Sequence, residues 1–368
     1  MPCPALIGRK GYCLPACINA IGVAVPDHDV HAAFIDWAER RVAPESRRLF
    51  QRMANRAGIG HRWSVLPPAP DDGAPTAPGG FYAVDPLPGT GARMAVYAEA
   101  APALALAAVE RLAAQVSLAG ITHLVVASCT GFVAPGLDQI VARRLGLAGS
   151  VERLLIGFMG CYAGVVALRT ARHLVRSEPA ARVLVIACEL STLHLQDTPD
   201  PESLLAQLQF GDGAAAALVT ADETGFALDA PFAATLPDSD ALIRWTITDR
   251  GFVMALSGEV PRRIGTALAD PAFTATVTAG HGAAAIDGWA VHAGGRSILD
   301  AVGQALALPA DALDASRAVL RDHGNMSSAT LLFTLARMLA GPPVSQGVAL
   351  AFGPGLAAEG LGFRSVRC

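Results

Sequence analysis

Three short, nearly unbroken apolar runs set the frame for this chain: THLVVAS at 122–128, VERLLIGF at 151–158 and RVLVIAC at 182–188. Runs of this length that are apolar at successive positions read as strands covered on both faces. The segments between them carry helical spacing instead: Val109, Leu112 and Val116 after Ala103, then Leu137 to Leu145, then a face that begins at Ala163. Such alternation predicts the α/β class, with parallel or mixed sheets covered by helices on both sides. The second half repeats the style. A helix over Arg262 to Leu268 is followed by the strand GWAVHA, helices at SILDAVGQAL and TLLFTLARML, and the strands GVALAFG and LGFRSV. The turn-rich stretch ADETGFALDAPFAATLPDSD marks the best internal boundary, giving halves at 1–225 and 226–368 that are candidates for a diverged duplication. A helix ending in RRLFQRMANRAGI (47–59) and a Pro/Gly-rich loop from Leu66 to Gly91 occupy the first quarter. Loops of that length in compact domains usually have a job.

With 368 residues, 52% of them hydrophobic and 16% charged, and a net charge of −4, the chain has enough core for one large or two medium domains. That balance argues against a disordered or nucleic-acid-coating protein, so small molecules or a second copy are the expected partners. Seven cysteines (Cys3, Cys13, Cys17, Cys129, Cys161, Cys188, Cys368) show no CxxC or His-rich spacing, so neither a disulfide framework nor a metal site is indicated. Leu14-Pro15-Ala16-Cys17 faintly resembles a lipoprotein box, but too few residues separate it from Arg9-Lys10 for a signal sequence. The most apolar long segment carries Glu110 and Arg111, so no membrane span is expected and the protein is assigned to the cytoplasm.

Chemistry concentrates at strand-to-helix corners. In LLIGFMGCYAGVVALR, Cys161 follows a strand, is flanked by Gly160 and Ala163-Gly164, and precedes a helix whose first N–H groups and dipole favour an anion. A thiol there is expected to be a low-pKa nucleophile. Cys129 and Cys188, near other strand ends, read as small buried hydrophobes. His292 in GWAVHAGGRSILD sits at the matching corner of the second half, and Asn325 in HGNMSSATLLF precedes a third helix start. A thiol, an imidazole and a neutral amide on three strand ends suit acyl transfer.

Six blocks together resemble one family, the type III polyketide synthases, also called the chalcone and stilbene synthases. They are CTGFVAPGLD, FMGCYAG, FGDGAAAAL, HAGGRSILD, GNMSSATLLF and FGPGLAAE, in order between residues 129 and 359. The resemblance implies a thiolase-like fold of five αβαβα layers, a homodimer, and Cys161, His292 and Asn325 as the catalytic set. It places a gatekeeper at Phe210, and puts Met254 where the family has a second gatekeeper Phe. Cys129, Thr130 and His194 fall on cavity positions. Arg52 and Arg56 fall on two of three basic positions that hold coenzyme A phosphates, the first being Leu49 here.

The implied reaction loads an acyl-CoA starter on a Cys161 thiolate paired with His292. Malonyl-CoA then loses CO2 to give an enolate held by His292 and Asn325, and this enolate attacks the acyl-enzyme. No metal or resident cofactor is implied. FMGC and CTGF resemble bacterial members that extend fatty acyl starters to alkylpyrones or alkylresorcinols, with a small-starter pyrone or hydroxynaphthalene synthase also open. The related ketoacyl synthase III enzymes tend to show His-Gln-Ala-Asn, whereas this chain has His292-Ala293-Gly294-Gly295. A cysteine thioester hydrolase and a catalytically silent acyl-CoA-binding relative are the rival readings.

Overall fold

The structure, a computed structural model, describes residues 15–366. Arg9, Lys10, Leu14 and the cysteines at 3, 13 and 368 therefore lie outside the described residues. The first half contains β1 (Ala16–Ala24), β2 (His28–Asp29), α1 (His31–Glu39), α2 (Arg47–Arg56), β3 (Trp63–Ser64) and α3 (Thr90–Ala113). It continues with β4 (His123–Ser128), α4 (Leu137–Arg144), β5 (Glu152–Gly157), α5 (Ala163–Ser177), β6 (Val183–Leu190), α6 (Pro201–Gln207) and β7 (Asp212–Thr220). The second half begins with β8 (Gly225–Thr235), β9 (Ile243–Thr248), β10 (Gly251–Leu256), α7 (Val260–Ala269) and α8 (Pro271–Val277). Then follow β11 (Gly288–Val291), α9 (Arg296–Ala305), α10 (Asp314–His323), α11 (Thr330–Leu339), β12 (Gly347–Gly353) and β13 (Ala357–Val366).

Nine strands form one mixed sheet in the order β11-β12-β13-β8-β1-β7-β6-β4-β5. Its two wings repeat one pattern. In the first half β4 runs parallel to β6, β6 antiparallel to β7, and β7 antiparallel to β1. In the second half β11 runs parallel to β12, β12 antiparallel to β13, and β13 antiparallel to β8. The wings meet where β1 pairs with β8 over Ala16 to Ile18. The same topology twice is what a duplicated half predicts.

Side-chain alternation on these strands creates the layers. Val125 and Ala127 of β4, with Val183 and Val185 of β6, pack on α5 and α11 in the middle. Their neighbours Leu124, Val126, Leu184 and Ile186 pack outward on α3 and α4. In the second half Ala349 and Ala351 face the same middle layer, while Val348 and Leu350 face α7, α9 and α10. Helix, strand, helix, strand, helix is the five-layer order expected of a thiolase-like fold.

Two sequence expectations need correction. The helix read from Ala103 begins at Thr90 and carries Pro102 inside it, fully buried. A proline normally ends such a reading because it removes a helix hydrogen bond; here tertiary packing of Tyr97, Ala101 and Ala105 holds the helix through it. The 24-residue α3 is also long and apolar enough to cross a membrane by length and composition, where the sequence reading found no such segment. Its apolar face is spent on β1, β6 and β7, and Arg93 inside it is fully buried. The second correction is β5, read as a buried strand. It is the sheet's outer edge, and Leu154 and Leu155 stand 45% and 39% exposed.

The middle layer is tight enough to be tested. A Cβ on Gly164 of α5 would lie 2.3 Å from the Ser328 carbonyl oxygen, a backbone atom that cannot swing away. Gly164→Ala should therefore cost about 1–3 kcal/mol by overpacking, seen as a lower denaturant midpoint at unchanged m-value. A midpoint equal to that of the parent chain would show that the two helices do not meet this closely.

Candidate active site

Cys161 is delivered by the corner between β5 and α5. Phe158 (φ 58°) and Gly160 (φ 75°) take left-handed backbone, and a 3-10 turn over Gly160–Tyr162 leads into α5 with the thiol 9% exposed. Glycine is needed at 160 for space as well as for φ, since a Cβ there would lie 2.4 Å from Pro354 Cδ. A Cβ on Gly353 would likewise lie 2.6 Å from Tyr162. The hairpin between β12 and β13 thus closes directly on the corner. Cys129 Sγ accepts the Gly160 N–H at 3.0 Å, so this cysteine anchors the corner from below.

His292 and Asn325 arrive from the other half. The His292 N–H donates to Leu350 O at 2.8 Å just beyond the end of β11, and its ring is 2% exposed. Neither ring nitrogen has a hydrogen-bond partner among the described residues. Burial lowers its pKa to about 3, which leaves a neutral imidazole. Asn325 is held by backbone bonds on both sides, its N–H to Gln209 O at 2.7 Å and its carbonyl from Gly211 N at 3.0 Å. Its Oδ1 accepts the Ser327 N–H at 2.8 Å, while Nδ2 makes a long contact to Gly294 O at 3.4 Å beside the His292 loop. Ser327 itself has a left-handed φ of 46°, which turns its hydroxyl onto the thiol.

The electrostatics correct one expectation. Instead of favouring a thiolate paired with an imidazolium, burial disfavours the charged form of both groups, and no hydrogen bond joins the thiol and the ring. Burial pushes the Cys161 thiol up to about 11. Hydrogen bonds from Ser327 and Asn325 act against that rise, and the charge of Glu189 adds to it. The helix N-terminus alone does not outweigh desolvation.

Glu189 is the residue that sequence reasoning missed. It is fully buried at the end of β6 and accepts the Cys129 N–H and the Thr130 hydroxyl at 2.9 Å each, along with the Ser328 hydroxyl. Burial raises its pKa to about 7 despite those donors. Its signal was present as the one acid in the apolar run VLVIACEL. The carboxyl ties the segments carrying Cys129, Thr130 and Ser328 around the nucleophile; Thr130 Oγ1 also accepts the Leu190 N–H at 2.8 Å.

Two spaces meet at a shared wall. A small chamber contains Cys161, Cys129, Thr130, Ser327 and Pro354. A larger cavity of about 770 Å³, its mouth included, runs beneath α1, α6 and the 66–91 loop. Phe210, Met254, Trp245 and Ser191 line both, so the two expected gatekeepers do stand at the passage, and Trp245, missed by sequence, stands with them. Trp245 Nε1 donates to Cys129 O at 3.2 Å, which fixes the indole in the wall. His194 lines the larger cavity but spends both nitrogens on the protein. Its Nε2 bonds Thr130 O at 2.7 Å, its Nδ1 accepts the Phe252 N–H at 3.0 Å, and its ring stacks on Phe252. Burial lowers it to about 4, so it is a neutral structural ring. Arg52 and Arg56 are exposed on α2, outside both spaces. Cys188 lies in the outer core with its thiol on Ala101 O at 3.5 Å, as a small hydrophobe should.

Comparison with known proteins places this geometry. Residues 10–223 match the chalcone and stilbene synthase N-terminal domain, and residues 228–367 match the corresponding C-terminal domain. Bisdemethoxycurcumin synthase of Oryza sativa is 37% identical over 74% of this chain and 73% of its own length. The alpha-pyrone synthesis polyketide synthase-like Pks18 of Mycobacterium tuberculosis is 33% identical over 72% of this chain and 68% of its own. Among solved structures, PKS-I of the brown alga Ectocarpus siliculosus aligns with a TM-score of 0.88 at 28% identity, covering 97% of this chain and 100% of that one. The C-terminal type III polyketide synthase domain of Steely1 from Dictyostelium aligns at 0.87 and 25% identity, covering 96% and 100%.

The thiol's environment sets a sign that can be checked by alkylation. Ser327→Ala removes a donor that favours the thiolate, so the pH midpoint of iodoacetamide labelling at Cys161 should rise by about one unit. Glu189→Gln removes a charge that disfavours the thiolate, so the midpoint should fall. Shifts of the opposite sign in either variant, read by peptide mass spectrometry, would refute this account of the site.

Proposed function

The chain belongs to the chalcone and stilbene synthase family, and on that premise we propose that Cys161 is the nucleophile of a type III polyketide synthase, with His292 and Asn325 as its partners. The family's members are condensing acyltransferases that use acyl-CoA and malonyl-CoA. What supports the assignment is a thiol at a strand-to-helix corner that shares a small chamber with Ser327, the Asn325 side chain that accepts the Ser327 N–H and reaches Gly294 O, and the buried His292 imidazole two residues before that glycine.

The proposed mechanism uses these three groups. As the starter thioester enters, the Cys161 proton passes to His292 while sulfur attacks the carbonyl carbon, and the coenzyme A thiolate leaves with a proton. Malonyl-CoA then loses CO2, and the resulting enolate oxygen receives hydrogen bonds from His292 and the Asn325 amide. The enolate carbon attacks the acyl-enzyme, and the lengthened chain returns to Cys161. The buried chamber limits protonation of the enolate by water. This chemistry uses no metal and no resident cofactor.

The larger cavity bears on the starter. Its polar lining groups are largely spent on one another: Ser64 on Thr192, Thr192 on Asp212, Gln207 on Gln196 and Ser203, and His194 on backbone. The walls left to a ligand are the faces of Phe34, Leu66, Phe210, Trp245, Phe252 and Met254, with Arg62 Nη2 the one buried lining polar atom without a partner among the described residues. This favours a starter with an apolar tail, a fatty acyl group before a small one, and a pyrone or resorcinol-type product. The exposed Leu154 and Leu155 on edge strand β5, with Phe132 beside them at 44% exposed, favour a homodimer covering that edge. The enzyme is assigned to the cytoplasm, with Arg52 and Arg56 on the phosphates of coenzyme A.

One assay decides the reaction. Incubation with malonyl-CoA and a panel of acetyl-, benzoyl- and dodecanoyl-CoA should release CO2 and give condensed products by mass spectrometry, most from dodecanoyl-CoA. Cys161→Ala should lower condensation by at least about a thousandfold. Thioester hydrolysis without CO2 release would assign a hydrolase instead, and full condensation by Cys161→Ala would refute the nucleophile. Ala33→Trp, which fills the cavity below α1, should shift preference from dodecanoyl- toward acetyl-CoA by about tenfold.

A further inference from the structure

One helix of this acidic chain is out of character. α2, RRLFQRMANR, carries Arg47, Arg48, Arg52 and Arg56 and no acid. All four arginines are exposed, and none has an ion pair among the described residues. Leu49, Arg52, Met53 and Arg56 fall at i, i+3, i+4 and i+7, a single stripe of the helix. Leu49 and Met53 on that stripe are 49% and 47% exposed, while Phe50 and Ala54 on the opposite side are buried. An apolar stripe edged by unpaired cations suits a protein surface of opposite charge.

The stripe also borders the way in. A groove lined by Leu49, Met53, Leu205, Gln209 and Leu256 opens beside α2. Gln209 directly precedes Phe210, and Leu256 lies two residues beyond Met254. Arg56 and Arg296 flank a continuation of this groove. Asp300 beside them is held by Arg317 at 2.8 Å and lies 3.5 Å from Arg296, so the positive sign prevails there. Glu202 on the opposite wall accepts the Gly258 N–H at 3.2 Å, and Glu45 lies in the turn before α2.

We propose that α2 is a docking face for an acidic acyl carrier protein, whose phosphopantetheine arm reaches Cys161 through this groove. The inference rests on the synthase reading above and extends it from free coenzyme A thioesters to a protein-borne starter. The arm is chemically the same in both carriers; what differs is what stands outside the groove. Nucleotide phosphates account for arginines near its mouth, but not for Leu49 and Met53 exposed among four cations. In the transfer, the thioester bond to the arm's sulfur breaks, a thioester to Cys161 Sγ forms, and the cysteine proton goes to the departing sulfur, with no change of oxidation state.

The test uses the full chain and a purified bacterial fatty-acid-synthesis carrier protein, as holo protein and as its octanoyl thioester. Fluorescence anisotropy should show saturable binding of the holo carrier that weakens at least about tenfold in 0.5 M salt and in Arg48→Glu, whose side chain lines neither the groove nor the two inner spaces. Intact-protein mass spectrometry should show octanoyl transfer from the carrier to Cys161, about tenfold slower in Arg48→Glu, with transfer from octanoyl-CoA unchanged. Absence of carrier binding would overturn the proposal whatever the condensation assay gives. So would equal slowing of both donors by Arg48→Glu, which assigns the arginines to coenzyme A alone. Binding of the chain to phosphatidylglycerol vesicles with no binding to the carrier would assign the stripe to a membrane surface instead. Carrier binding without any condensation would sink the synthase reading and leave the docking face standing.

Discussion

Everything at the candidate site depends on the two halves meeting closely at glycines, where a side chain would not fit. Gly164 of α5 lies against the Ser328 carbonyl, Gly160 against Pro354, and Gly353 against Tyr162. These contacts belong to different repeats of the sheet, so the site exists only where the two wings share a middle layer. A methyl group at any of the three would push the thiol's corner away from the segment that carries Asn325 and Ser327. The duplicated topology explains why the site is central: each wing ends its strands at the same level, and helix starts from both converge there.

The second constraint is burial. Cys161, His292 and Glu189 are all removed from water, and in each case desolvation outweighs the local hydrogen bonds or charges. The thiol and the imidazole are thereby held toward their neutral forms, while Glu189, raised to about 7, is divided between its two forms at neutral pH. On the proposed mechanism, charge develops when a thioester supplies somewhere for it to go, first as the sulfur attacks and later as the enolate forms. A neutral imidazole with two open nitrogens can accept the thiol proton and afterwards donate it, whereas a permanent ion pair would have to be dismantled at each round.

Much of this was legible in the sequence, for reasons that can be named. Cys161 and His292 were legible because each follows a strand and precedes a helix start, a pattern carried by local residue order; Asn325, expected at a strand end, instead follows helix α10 and precedes a 3-10 turn. The α/β class followed from unbroken apolar runs such as LVVA alternating with helical spacing, and the five layers from what the family resemblance implied. What could not be read was whatever depends on contacts across the halves. The exposed β5 looked buried because LLIG is apolar, and only its place at the sheet edge reveals otherwise. The neutral thiol was hidden for the same reason, since a helix start is visible in sequence and the surrounding desolvation is not. Trp245 belongs here too: on a short two-strand ribbon with no flanking motif, it becomes a wall only because its indole reaches the Cys129 carbonyl 116 residues away.

The division of space has a consequence for chemistry. The small chamber around Cys161 is too confined for a long chain, and the larger cavity does not contain the nucleophile, so an acyl tail and a growing diketide cannot compete for one volume. The tail can lodge below α1 while extension proceeds in the chamber. Phe210 and Met254 in the shared wall differ in stiffness: phenylalanine has two side-chain torsions on a backbone paired with Asn325, whereas methionine has three. A gate with one rigid and one yielding side keeps the orientation of the reacting thioester while tolerating tails of different width. On the proposed reading, selectivity for the starter resides in the walls beyond Phe210 and Met254, and the reaction itself in the residues before them.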